Sequence, residues 1–117
     1  MKQENRLKKR KQFKWTFKNG KTASEKYVSI VYVKTKTKDV KIGFSVTKKV
    51  GKAVVRNRKK RQMKEAVSKH IQSILGYHTI IFVAKPEIVE ADFFQIEQDI
   101  LSLIKKANLQ KRSNEDI

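Results

Sequence analysis

Apolar positions recur with two different spacings along the chain, and the change of spacing predicts where strands and helices lie. Residues 27–33 are β-branched and aromatic, and in residues 40–46 apolar side chains occupy every second position. A period of two is typical of a strand with one buried face. Residues 77–84 contain a nearly continuous apolar run, which predicts a central strand buried on both faces.

Helical spacing predicts three helices around these strands. The first is short, ends at Gly20, and carries Phe13 and Phe17 four residues apart on one face. The second is long, covers residues 53–75 and has an apolar stripe that faces the core. The third runs to about residue 108 and also carries an apolar stripe.

Turn and capping residues complete the predicted organisation. Asp92 precedes the third helix with Gln95 three residues later, which is the arrangement of a capping box. Residues 34–39 are polar and short enough for a hairpin loop between antiparallel strands, and residues 21–23 are predicted to add a short edge strand. The whole chain, 1–117, is expected to be one domain, with residues 1–8 and 109–117 flexible. Helices on mainly one face of a small sheet form an α/β sandwich.

The charge balance narrows the class of partner to a polyanion. The chain contains 29 Lys or Arg residues against 11 Asp or Glu residues, a formal net charge of +18. Such an excess indicates nucleic acid or an anionic membrane surface as partner. No apolar run approaches the roughly 20 residues that span a bilayer, so no membrane partner is expected. Cysteine is absent, which excludes thiolate metal sites and fits a cytoplasmic protein.

Positive charge is concentrated in residues 48–61, where more than half of the residues are Lys or Arg and none is acidic. On a helix, residues four apart form one ridge, and this ridge would comprise Lys52, Arg56, Lys60 and Lys64, with Asn57 and Arg61 beside it. A solvated charged face is the alternative, but such faces usually mix signs, and here the next acid is Glu65. No DNA-reading motif accompanies the helix, so the pattern favours RNA.

No combination of residues predicts catalysis by the protein itself. His70 and His78 lie in different predicted elements, and both are expected to be structural or surface residues. Glu87, Glu90 and Asp92 cluster before the last helix, where acidic charge is favourable. The sequence therefore predicts a protein that binds no metal or cofactor of its own.

One ordered set of residues extends over most of the chain. It comprises Asn5-Arg6-Leu7, Phe13, Phe17, Gly20, Gly43-Phe44-Ser45-Val46, Lys48-Lys49-Val50-Gly51, Ala53-Val54, Arg56-Asn57-Arg58 and Lys60-Arg61. This set closely resembles the signature of the bacterial ribonuclease P protein subunit, whose centre is the Arg-Asn-Arg motif. Trp15 is not part of the pattern, and packing is its expected role.

The resemblance implies a fold and a function. The fold is an α+β two-layer sandwich of order α-β-β-β-α-β-α with a left-handed βαβ crossover, similar to the second domain of a small-subunit ribosomal protein. The holoenzyme removes the 5′ leader of precursor tRNA by hydrolysing one phosphodiester bond. Its RNA subunit and the magnesium ions bound to that RNA carry the catalysis. The protein subunit binds this catalytic RNA and the single-stranded leader.

The resemblance also implies which residues bind each RNA. The surface that faces the catalytic RNA is expected to comprise Lys48, Lys49, Lys52, Arg56, Asn57, Arg58, Lys60, Arg61 and Lys64. The precursor-tRNA leader is expected to contact Arg6, Phe13 and Phe17, together with the outward face of the first long strand. That face consists of Ser29 and Val31 or of Val28, Ile30 and Tyr32. Ile30 occupies the position of a cleft Tyr in some family members, and Tyr32 is its expected substitute.

Two other classes of protein share some of these features. A non-catalytic basic RNA-binding protein of the ribosomal type has similar charge and size, but it has no reason to keep the ordered motif set with its aromatic residues. A protein-only nuclease would need clustered carboxylates for metal ions. The acidic residues considered, Asp39, Glu65, Glu90, Asp92, Glu97 and Asp99, form no evident constellation.

Overall fold

The computed structural model describes residues 5–111, which form three α-helices and one four-stranded sheet. The helices are α1 (Arg10–Asn19), α2 (Ala53–His70) and α3 (Phe93–Lys106), and the strands are β1 (Lys21–Ser24), β2 (Val28–Lys34), β3 (Lys41–Ser45) and β4 (His78–Ala84). Short 3-10 helices occupy Ile71–Ser73 and Pro86–Glu90. This order confirms the predicted α+β class and its succession of elements.

The strand order β1-β2-β4-β3 shows that the predicted hairpin between β2 and β3 is wrong. β4 lies between them, antiparallel to β2 and parallel to β3. The apolar run of β4 is the reason, because a strand that is buried on both faces is most stable at the centre of the sheet. The connection after β2 crosses the end of β4 instead, where Thr35 N–H donates to Tyr77 O at 2.7 Å and Tyr77 N–H donates to Lys38 O at 3.1 Å.

The second helix is shorter than predicted, because α2 ends at His70 and a 3-10 turn follows. The chain then becomes extended at Ile74, whose side chain enters the core and whose backbone bridges to Gln110. Burial of Ile74 in the core therefore ends the helical run before Gly76. The end of α2 is tied to α3 by Glu97, which accepts from Lys69 at 3.2 Å and contacts His70 at 3.0 Å. Both contacts lower the pKa of Glu97, and the contact with His70 has the larger effect.

The core lies between one face of the sheet and helices α2 and α3. Its fully buried strand residues are Val28, Ile30, Ile42, Ile80 and Phe82, and its fully buried helix residues include Met63, Ala66, Val67, Ile96, Ile100 and Leu103. Each large apolar side chain that is removed from water contributes about 1.5–3 kcal/mol. The predicted capping box starts α3, because Asp92 accepts from Gln95 N–H at 2.8 Å and Gln95 accepts from Asp92 N–H at 3.0 Å.

Helix α1 covers the opposite face of the sheet. Thr16 is buried against that face, and a Cβ at residue 20 would lie 2.7 Å from the Val31 side chain. At residue 43 a Cβ would lie 2.5 Å from Phe13 Cζ, so the absence of a side chain at Gly43 makes room for the ring. The Phe13 side chain thereby packs helix α1 against strand β3.

The segment before α1 pairs with the free edge of β3. Arg6 forms a parallel bridge with Ile42, and Leu7 N–H donates to Ile42 O at 2.9 Å. Of the two stretches predicted to be flexible, residues 1–4 and 112–117 lie outside the described part of the chain. Within the described part, Leu7 and Leu109 are buried, so both stretches contribute side chains to the packed fold.

We expect Gly43→Ala to destabilise the protein by about 1–3 kcal/mol, the usual cost of overpacking, because the added methyl group meets the Phe13 ring. Urea unfolding measures this change. In a Phe13→Ala background the same substitution should cost much less, since the ring is gone. Equal costs in the two backgrounds would contradict the packing of Phe13 against Gly43.

Candidate nucleic-acid interface

The start of α2 concentrates positive charge without neutralising it. Gly51 has φ +148°, a conformation that favours glycine, and it links a turn to the N-cap residue Lys52. The first turn of α2 contains no acid, and no side chain caps it. Lys48, Lys49 and Lys52 are all exposed here. Because a helix N-terminus carries partial positive charge, these cations add to it and create a local preference for anions.

An open groove of about 550 Å³ runs along the exposed side of α2. Its lining, which defines the α2 groove, is Asn57, Lys60, Arg61, Lys64, Glu65 and Ser68. Four of the residues predicted to bind RNA thus lie together. Arg58 is also exposed, but it lies outside this groove.

Arg56 does not simply continue the exposed ridge. Its side chain is half-buried between the exposed residues Lys52 and Lys60. Its Nε is buried and has no hydrogen-bond partner among residues 5–111. The guanidinium group is therefore partly withdrawn into the protein.

Lys59 belongs to the basic run of residues 48–61, but its side chain is buried in the protein. Only 6% of its surface is exposed, and its Nζ donates to Ala91 O at 2.8 Å, which joins α2 to the segment that precedes α3. Burial, followed by repulsion from Arg58, lowers the pKa of Lys59. The signal was present in the sequence, because Lys59 is four residues from both Val55 and Met63 and so lies on the apolar stripe.

A second depression, of about 350 Å³, lies where the N-terminal segment, α1, β3 and α2 meet. We call it the N-terminal cleft, and its lining is Arg6, Leu7, Lys8, Phe13, Ile42, Gly43, Phe44, Lys60 and Lys64. Lys60 and Lys64 also line the α2 groove. The two depressions therefore form one continuous surface, which joins Arg6 and Phe13 to the basic side of α2.

Cations in the N-terminal cleft repel one another. Burial, and then repulsion from Arg6 and Lys60, lowers the pKa of Lys64. The residues that line the cleft include no Asp or Glu. An anion bound between these three side chains would relieve the repulsion, because it supplies the missing opposite charge.

Aromatic rings border the same region at different levels of exposure. Phe13 is half-buried against Gly43, and Phe44 stacks on Phe82 with ring centroids 5.8 Å apart. Phe17, one turn further along α1, is 45% exposed. Of the two aromatic residues predicted to contact a leader, Phe17 therefore offers the more accessible ring.

The strand residues of the predicted leader site require correction. Ile30 is fully buried on the sheet face that α2 and α3 cover, and Tyr32 lies half-buried on that same face. Neither side chain is on the face that carries α1 and Phe13. The alternation of β2 places the other candidate set, Ser29 and Val31, on the α1 face. The physical reason is that the core selects one face of the strand, and the register with β4 assigns Ile30 opposite Phe82.

The described residues show no arrangement typical of a metalloenzyme. Residues 5–111 contain no group of three or more His, Cys, Asp or Glu side chains that could hold a metal ion. His70 contacts Glu97, and His78 Nδ1 contacts Gly76 O at 2.8 Å. In this part of the chain no helix is long and apolar enough to cross a membrane.

Comparison with known proteins agrees with the fold and with the ordered motifs. A family model described as Ribonuclease P matches residues 1–108. A ribonuclease P protein component of Alkaliphilus metalliredigens is 38% identical over 109 residues, which covers 93% of this chain and 98% of that protein. The solved RNase P protein of Staphylococcus aureus has a TM-score of 0.84 and 28% identity, with coverage of 92% of this chain and 98% of that one. That of Thermotoga maritima has a TM-score of 0.79 and 28% identity, covering 86% and 96%. The chain therefore belongs to the ribonuclease P protein family.

Proposed function

We propose that this chain binds the catalytic RNA of ribonuclease P and the 5′ leader of precursor tRNA, and so assists endonucleolytic removal of the leader. The α2 groove and the start of α2 bind the catalytic RNA. The N-terminal cleft and Phe17 bind the leader. The observation that carries the proposal is that Lys60 and Lys64 line both depressions, because a surface shared in this way can hold two RNA strands side by side.

Electrostatics gives the protein its role between the two RNAs. The catalytic RNA and precursor tRNA are both polyanions, and their approach is opposed by phosphate repulsion. A chain of formal charge +18 placed between them replaces condensed counterions and lowers that repulsion. The arginines of α2 add forked donors, which can bridge two phosphate oxygens.

Base stacking accounts for binding of a leader without strong sequence preference. The exposed ring of Phe17 offers a flat face, and stacking on such a face contributes about 1–3 kcal/mol per base. Arg6 and Lys64, which line the N-terminal cleft together with Phe13, are suited to the phosphates of the same strand. The correction at β2 brings Ser29 into consideration and removes Ile30 and Tyr32.

Cleavage chemistry belongs to the RNA subunit in this proposal. Magnesium ions held by that RNA supply the Lewis acid and the activated water for phosphodiester hydrolysis. This chain contributes affinity and position, through cations that lie beside the substrate strand. Its described residues offer no clustered ligands for a metal ion of their own.

The deciding experiment is cleavage of a precursor tRNA at low magnesium, with protein alone, catalytic RNA alone and both together. We expect cleavage at the mature 5′ end only when the catalytic RNA is present. The stimulation of cleavage by the protein should shrink as the magnesium concentration rises, because the basic protein and the magnesium ions screen the same phosphates. RNA binding without any stimulation would identify a basic RNA-binding protein of the ribosomal type. Cutting by protein alone would refute the assignment of catalysis to RNA.

The adjacent residues Lys60 and Lys59 test the α2 groove with a matched charge change. Lys60→Gln should weaken binding to the catalytic RNA and reduce the slope of log affinity against log salt by about one, because one phosphate contact is lost. Lys59→Gln should leave that slope unchanged, since its Nζ donates to Ala91 O. Filter binding between low and moderate salt measures both, and equal slope changes would contradict the groove as an RNA contact.

Phe17→Ala tests the leader site. We expect it to weaken binding of precursor tRNA to the holoenzyme by about 1–3 kcal/mol, the contribution of one stacked base. Mature tRNA lacks the leader, so its binding should hardly change. Circular dichroism checks that the variant is folded, and equal losses for the two tRNAs would remove Phe17 from the leader site.

A further inference from the structure

Trp15 lies on the flank of α1 that faces away from Phe17. Two residues along a helix correspond to a rotation of about 200°, and the residue between them, Thr16, is buried against the sheet. Trp15 is 53% exposed, so the packing role expected from the sequence accounts for only part of its surface. An exposed indole on this flank is not explained by a leader that follows Phe17.

A depression of about 340 Å³ lies beside the Trp15 ring, between α1 and the end of the sheet. Its lining, which defines the Trp15 site, is Lys11, Gln12, Trp15, Thr16, Thr35 and Thr79. This volume is at the lower end of the roughly 300–1,000 Å³ that is typical of small-molecule sites. The residues are separate from those of the α2 groove and the N-terminal cleft.

One polar atom in the Trp15 site lacks a partner. Thr35 Oγ1 is buried and makes no hydrogen bond within the described chain. The backbone of Thr35 is fixed, because its N–H donates to Tyr77 O at 2.7 Å. A buried hydroxyl without a partner costs free energy. A ligand edge with a donor or an acceptor would remove that cost once rotation of the Thr35 side chain turns its hydroxyl into the depression that Thr35 lines.

The charge around the Trp15 site favours an anionic ligand. Lys11 is part of the lining, which contains no Asp or Glu. Lys18 lies three residues after Trp15 on α1, and Lys34 and Lys36 flank Thr35. An aromatic face, a buried hydroxyl and surrounding cations match the three parts of a nucleotide: base face, base edge and phosphate.

We propose that the Trp15 site binds one unpaired nucleotide of RNA, with its base stacked on Trp15, its base edge at Thr35 Oγ1 and its phosphate at Lys11. The inference rests on the proposed function for the source of the RNA, but binding itself requires only a single strand. The site gives α1 a base-stacking residue on each flank, so RNA can contact both sides of the helix.

Trp15 is the sole tryptophan of the chain, so its fluorescence reports directly on this site. The probe is a short single-stranded oligoadenylate added to the full chain. We expect saturable quenching of the Trp15 emission. Trp15→Ala should weaken oligoadenylate binding by roughly 5- to 150-fold, the effect of losing one stacked base. Anisotropy of a labelled oligonucleotide measures this change. Trp15→Phe, which keeps an aromatic face, should retain most of the affinity.

Two further variants separate the site from general effects on the protein. Thr35→Val removes Oγ1 at nearly constant size, and we expect it to weaken binding roughly two- to tenfold, as for one lost hydrogen bond. Phe94→Ala is the matched control, because Phe94 is an aromatic residue that is 63% exposed near the start of α3, two residues after Asp92. It should bind like the parent chain. Saturation without any change in Trp15 emission, or unchanged affinity in folded Trp15→Ala, would overturn the proposal.

Measurements with the intact RNAs identify the source of the nucleotide. Quenching by the catalytic RNA alone assigns the base to that RNA, whereas quenching only after addition of precursor tRNA with a long leader assigns it to the leader. Quenching by neither RNA overturns the proposal. Cleavage provides a separate readout. If RNA quenches the Trp15 emission but the protein does not stimulate cleavage, the proposed function is rejected and the Trp15 site is kept. If the protein stimulates cleavage but RNA does not quench the Trp15 emission, the Trp15 site is rejected and the proposed function is kept.

Discussion

The burial of β4 on both faces is the constraint on which the rest of the structure depends. Ile80, Ile81 and Phe82 are fully buried, so apolar elements must cover the sheet on either side. Helices α2 and α3 cover one side, and the short helix α1 covers the other. Because β3 runs parallel to β4, α2 serves as the crossover between them and begins beside the edge strand. The basic start of α2 is therefore brought next to the N-terminal segment, which pairs with that same strand.

The same arrangement holds like charges together at a cost to the free protein. The core under α2 fixes the backbone that carries Lys60 and Lys64, and the bridge to Ile42 fixes Arg6 beside them. The lowered pKa of Lys64 reflects this, because burial and repulsion both disfavour its charged form. In the range between its folded and unfolded pKa values, stability rises with pH as the folded state binds fewer protons. A bound phosphate would reverse the balance, so that stability given up by the free protein becomes affinity for an anion.

Local patterns in the sequence predicted the helices and strands, but they did not predict which distant strands pair with one another. The capping box at Asp92 and the double burial of β4 depend on neighbouring residues or on composition, and both were predicted correctly. The hairpin between β2 and β3 was wrong, because the choice of strand neighbours depends on how β4 is buried. The outward face of β2 was left open between two sets of residues, and the leader contacts assigned to Ile30 and Tyr32 lie on the core face. The residues of β2 are apolar at almost every position, so alternation alone could not distinguish the core side of Ile30 from the α1 side of Val31.

The basic run shows that charge alone does not identify a binding surface, because the position of each side chain in the fold decides whether it is accessible. Lys59 and Lys60 are adjacent and chemically identical, yet Lys59 donates to a buried carbonyl and Lys60 lines both the α2 groove and the N-terminal cleft. Helical spacing relative to Val55 and Met63 separates the two. Helix α1 likewise places neighbouring residues in different environments according to their position around the helix axis. Thr16 and Phe13 face the sheet, Phe17 is exposed on one flank and Trp15 on the other. A helix that is packed by one narrow stripe leaves two exposed flanks, and under the proposed function a domain this small can contact more than one segment of RNA.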